Sequence, residues 1–197
     1  MKTFHGSYLP LALLLLVAGW PSIALAHVGF GSTEGFASGL AHPISGLDHL
    51  CAMIGVGIWA SQRGGKAVWL FPLAFVIVMA LGGLIGAAGI AIPFVERGIV
   101  ASVLIIGILI AAAVRMPLLL SVLIVGTFAF FHGHAHGSEM PLTASGLAYA
   151  AGFLATTMVL LSVGVAAGIH ARKSILTWPF RYCGTALILL GLYLVML

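Results

Sequence analysis

From residue 67 to residue 92 the chain carries no charged side chain, and four more long stretches are nearly as bare. About 20 consecutive apolar residues suffice to cross the roughly 30 Å of bilayer hydrocarbon as a helix. A run of this kind cannot be covered by a soluble core, and it recurs along the sequence. Only 6% of the residues are charged and 62% are hydrophobic, against about 25% charged in ordinary soluble domains. A water-exposed surface cannot be built from this composition, and disorder is excluded with it. Eight Lys and Arg without a basic cluster cannot track a phosphate backbone, so no nucleic-acid partner is expected. The chain reads as an all-α polytopic membrane protein whose partner is the lipid bilayer.

The N-terminus reads as a secretory signal. Lys2 supplies a positive start, residues 9–18 an apolar core, and Ala24-Leu25-Ala26 an A-x-A cleavage site. Pro10 and Pro21 interrupt the stretch, which favours cleavage after Ala26 over retention as a first span. The expected organisation is a signal peptide over 1–26 and one transmembrane domain over 27–197. Six spans are expected within it, at about 41–61, 67–92, 98–114, 117–132, 144–169 and 176–196. The connections are too short to hold a soluble domain.

Orientation follows from charge. A cleaved signal leaves His27 outside, which places Arg63, Lys66, Arg115, Arg172, Lys173 and Arg181 on the cytoplasmic side and only Arg97 opposite. This satisfies the positive-inside rule. It predicts a bacterial inner-membrane protein with both mature termini in the periplasm. Gly82-x-x-x-Gly86 and Gly164-x-x-x-Gly168 are spacings at which helix backbones approach closely. No three-plus-three repeat is supported: one His-rich motif opens the first span and the other closes the fourth. Cys51 and Cys183 both lie in apolar runs and form neither a disulfide framework nor a zinc-finger spacing.

The few polar groups are sorted by side. Glu34, Asp48, Glu96 and Glu139 all fall at the outer ends of the spans, with every mature histidine except His170. A charge at mid-membrane costs about 2.5–3.5 kcal/mol on insertion scales, so such groups point to function. Imidazoles and carboxylates at one face, with guanidinium and ammonium groups at the other, read as a cation entry face.

The first motif is His42-Pro43-Ile44-Ser45-Gly46-Leu47-Asp48-His49. In a regular helix His42 and His49 share a face but stand about 10 Å apart along the axis. Pro43 suits a first helical position, which would leave His42 just ahead of the helix and free to fold back, and Gly46 adds freedom. Asp48 serves as a ligand or as the carboxylate that orients an imidazole. Met53, one turn beyond His49, is a soft ligand or core filler. The second motif runs from His132 to Glu139. If the fourth span continues through it, His132, His136 and Glu139 share one face and His134 points away. Glu96 is either a surface partner of Arg97 or a third carboxylate of the site. His27 would offer an α-amine and an imidazole as a chelate, unless it is merely the residue after cleavage. Imidazole with carboxylate suits borderline divalent ions such as Ni, Co, Zn, Cu or Fe, and the scarcity of thiolates disfavours Cu(I) and iron–sulfur chemistry.

At these residues the chain resembles the HupE/UreJ family of nickel/cobalt permeases associated with hydrogenase and urease maturation. The resemblance spans nearly the whole mature chain. It is carried by HPISGLDH with Met53 and Gly57, WASQRGGKAVW with Pro72 and Gly82-Gly83, VERGIVASVL around Glu96, and FHGHAHGSE ending at Glu139. Leu161 departs from it, standing where many members carry a histidine after a Thr-x-x-Leu pattern. The resemblance implies metal-handling roles for His42, Asp48, His49, Glu96, His132, His136 and Glu139, to which the chelate reading adds His27. The expected function is import of Ni²⁺ or Co²⁺ without ATP, with no resident prosthetic group and with metal donors or acceptors on either side as partners. The competing expectation is a zinc-dependent intramembrane hydrolase. A bis-histidine haem protein is disfavoured, because the histidines lie at the rim.

Overall fold

A computed structural model describes residues 35–140, 144–173 and 178–196. The expected signal peptide, its cleavage site, His27 and Glu34 lie outside the described residues. Among those described the chain is all-helical: α1 (Phe36–Ser45), α2 (Leu47–Arg63), α3 (Ala67–Ala87), α4 (Val95–Ala111), α5 (Leu118–Ser138), α6 (Ala144–Lys173) and α7 (Trp178–Met196). Four of these, α3, α5, α6 and α7, are long and apolar enough to cross a membrane, and α1 with α2 makes a fifth if the bent pair is one span. The third expected span, at about 98–114, corresponds to α4, whose 17 residues extend only about 25 Å.

Two boundaries differ from the sequence reading for identifiable reasons. The second span was expected to run to residue 92, but α3 stops at Ala87 and Gly89 takes a left-handed φ of 75°. The fourth was expected to stop at residue 132, but α5 continues helically to Ser138. Gly133 and Gly137 do not break it, because both are pressed against α3. A Cβ on Gly133 would strike the Met79 backbone, and one on Gly137 the Gly83 backbone.

Glycine contacts of this kind fix the architecture. Along α3 and α5, Met79 meets Gly133 and Gly83 meets Gly137, so the two helices run parallel. Gly57 and Gly164 bring α2 and α6 together, also parallel, with Gly168 against Ser61 one turn on. Gly107 and Gly184 join α4 and α7 in antiparallel fashion. Small residues let backbones approach where lipid supplies no hydrophobic drive for helix association. Between these pairs lies an apolar core that includes Met53, Trp59, Phe71, Phe75, Ile106 and Leu161. On α3, Trp69, Leu73, Ile77, Leu81 and Leu84 are exposed in one stripe. An outward apolar stripe of that length is a lipid-facing surface.

Candidate metal centre

The site forms where α1 turns into α2. Pro43 does not begin a helix as the sequence reading expected; it lies inside α1, so His42 is helical. The break comes three residues later, at Gly46, which adopts an extended conformation (φ −101°, ψ 124°), and the two helices bend by 83° there. Ser45 Oγ donates to the His42 carbonyl at 2.6 Å and occupies an acceptor at the end of α1. The short arm α1 is held across α6: Gly35 N–H donates to the Ser145 carbonyl at 3.0 Å, and Thr156 Oγ1 to the Leu40 carbonyl at 2.8 Å. Gly39 lies directly on the Tyr149 backbone, an approach that a Cβ would forbid.

The corner shortens the path between His42 and His49, and both imidazoles reach His136 on α5. The ring centroids are 4.6 Å apart for His42 and His136, and 4.3 Å for His49 and His136. His132, one turn earlier on α5, is 4.7 Å from His49. Four imidazoles from three helices thus form a continuous chain of contacts. His49, His132 and His136 are buried and His42 is half-buried. Aromatic walls close the group: Phe153 at 4.7 Å from His136, Tyr149 at 5.7 Å from His42, and Phe75 at 6.0 Å from His132.

Hydrogen bonds set which nitrogen faces inward. His49 Nδ1 donates to Asp48 Oδ1 at 2.9 Å, and the same oxygen accepts the His49 backbone N–H at 2.8 Å. Asp48 therefore holds the ring with Nε2 as its lone-pair nitrogen, and that atom meets His136 Nε2. Two facing imidazole nitrogens are satisfied either by the N–H of one donating to the lone pair of the other or by a metal ion between them. His132 Nδ1 donates to the Phe128 carbonyl at 2.9 Å, which fixes its tautomer in the same sense. Glu139 follows the last residue of α5 and is exposed, and it completes a group with His42 and His136 whose donor atoms all lie within 4.8 Å of one another.

Of the residues singled out from sequence, His42, Asp48, His49, His132, His136 and Glu139 gather at this corner. Glu96 is exposed in the first turn of α4 and is not a member of the His42–His136–Glu139 group. Its neighbour Arg97 lies over the Phe94 ring, 5.3 Å from the centroid. Met53 is fully buried in the apolar core. His134 points away from the cluster, as its position on the helix requires, and its Nε2 donates to the Ile90 carbonyl at 2.7 Å. It ties α5 to the segment that leaves α3. The sequence reading missed Tyr149 and Phe153. A polar-tipped aromatic one turn before a second aromatic, with Gly152 between them, was the available signal.

The fold and the site define a multi-pass α-helical membrane protein with imidazoles and carboxylates gathered at one end of its helices. A profile of the HupE / UreJ protein family matches residues 14–194. Protein HupE of Rhizobium leguminosarum bv. viciae is 49% identical over 158 residues, covering 80% of this chain and 82% of that protein. The chain belongs to the HupE/UreJ family, which is associated with nickel and cobalt transport for hydrogenase and urease. No solved structure matches it. Membership fits a metal transporter or accessory protein rather than an enzyme, and it does not favour the zinc-hydrolase expectation.

Proposed function

We propose that the protein imports Ni²⁺, or alternatively Co²⁺, across the bacterial inner membrane. The observation that carries this reading is the corner at Gly46, which turns two imidazoles of one segment onto the two imidazoles of α5. Cation capture at a rim needs nitrogen and oxygen donors that replace hydration waters stepwise. The exposed Glu139 and half-buried His42 stand outermost, followed by His136 and then by the buried pair His49 and His132. Asp48 orients His49 and raises its basicity without having to touch the ion. Glu96 adds negative potential at the mouth, and His27, as the mature N-terminus, adds a chelating arm.

In this reading α1–α2 and α4 complete six crossings, the signal peptide is removed after Ala26, and both termini of the mature chain face the periplasm. An inside-negative potential supplies about 2.3 kcal/mol per charge per 100 mV, hence about 4.6 kcal/mol and roughly a 2,000-fold bias for a divalent ion. Uptake then needs no ATP, and the sequence contains no P-loop. The test is radiolabelled Ni²⁺ accumulation by cells expressing the protein, with Co²⁺ and Zn²⁺ as competitors. His49→Ala or His136→Ala is expected to abolish uptake while membrane insertion stays normal. Wild-type accumulation in the double variant would overturn the proposal.

A further inference from the structure

The end of the bundle away from the histidine cluster has its own built feature. A cavity of about 420 Å³ opens between the end of α2, the start of α3, the α4–α5 connection and the start of α5. Arg63, Lys66 and Arg115, from three separate stretches of chain, line it together with Trp59 and Gln62. No carboxylate lines it, and the described acids Asp48, Glu96 and Glu139 belong to the helix ends opposite. Among the described residues none of the three cations forms an ion pair. Three like charges around one concave, protein-walled space raise a strong positive potential inside it.

The remaining groups do not cancel that potential. Several carbonyls in the last turns of α2 and α4 accept hydrogen bonds: Ala60 from Gly64 N–H, Ile108 from Ala112 N–H, Leu109 from Val114 N–H, and Ile110 from Ala113 N–H and the Gln62 side-chain amide. Leu118, the first residue of α5, lies in the wall, and the amide-bearing first turn of a helix attracts anions. Trp59 is only 1% exposed, and its indole Nε1 has no hydrogen-bond partner among the described residues. An indole N–H only donates, so it is satisfied only by an acceptor.

We propose that this cavity binds a phosphate group, either in the headgroup of an anionic phospholipid or as free inorganic phosphate. Forked guanidinium groups match phosphate oxygens in pairs, and two are present, with Lys66 as a further point charge. The volume exceeds what one phosphate needs and accommodates a phosphoglycerol headgroup. In the orientation proposed above, this end faces the leaflet whose anionic lipids attract basic pockets between helices. The binding itself does not depend on which metal, if any, the opposite end takes.

The experiment is thermal unfolding of the full-length protein in detergent, delipidated and then titrated with inorganic phosphate or with phosphatidylglycerol. Sodium chloride and phosphatidylcholine serve as controls. A saturable rise in unfolding temperature with phosphatidylglycerol alone assigns the lipid, and a rise with both shows that free phosphate suffices. Arg63→Gln with Arg115→Gln is expected to weaken the response at least about tenfold, the loss of one or more charge-assisted hydrogen bonds. Arg181→Gln, a cation of α7 outside the cavity, leaves it unchanged. If the double variant does not fold, Arg115→Gln alone is expected to weaken binding several-fold. No response to either phosphate source in the wild type overturns the proposal, and so does an undiminished response in the variants.

Discussion

Replacing Gly137 with alanine tests whether helix contact positions the site. A Cβ built there would lie 2.6 Å from both the Cα and the carbonyl carbon of Gly83. Ordinary contact begins near 3.4 Å and the Gly83 carbonyl oxygen is nearer still, so α5 must retreat from α3 by more than about 0.8 Å, because a backbone cannot rotate aside as a side chain can. Overpacking of this kind costs about 1–3 kcal/mol. Alanine returns about 0.5–1 kcal/mol of helix preference, which leaves a net loss of up to roughly 2.5 kcal/mol. His136 is the preceding residue, and a ligand set tolerates displacement of only about 0.5 Å. Ni²⁺ affinity should therefore fall at least about tenfold. The internal comparison is Gly126→Ala on the same pair of helices, where the new Cβ would meet only Val78 Cγ2 at 3.6 Å. That variant should match the wild type or exceed it slightly in stability. The assay is thermal unfolding in detergent with isothermal titration of Ni²⁺, run on both variants. Equal unfolding temperatures and affinities for Gly137→Ala and the wild type would refute the close-approach reasoning.

Further variants separate binding from support. Asp48→Asn keeps the shape but removes the carboxylate that holds His49 Nδ1, and it should cost about 10–100-fold in metal affinity by the same titration. His134→Ala loses the bond to the Ile90 carbonyl and the ring contact with Phe130. It should lower stability by about 1–3 kcal/mol with metal affinity within a few-fold of wild type, and a loss as large as that of His136→Ala would place His134 in the site.

Much of this protein was legible in one dimension because the membrane makes composition decisive. Apolar runs with Arg63, Lys66 and Arg115 at one set of ends and Asp48, Glu96 and Glu139 at the other specify helices and two chemically distinct faces. The candidate ligands were legible for the same reason, since an imidazole or carboxylate is costly to place in such a chain. Helix continuity through Gly133 and Gly137 was not, because local propensity favours a break there and only contact with Met79 and Gly83 overrides it.

The sequence by itself therefore determined the solvent, the helical class and the residue types available to hold a cation. The tertiary structure decided the distances. His49 follows His42 by seven positions, which in a straight helix sets them about 10 Å apart. The 83° corner at Gly46, braced by the crossing of α1 over α6, turns both onto His136. Periodicity along a chain encodes which face a side chain occupies, but not the angle at which two helices meet; packing against a third fixes that.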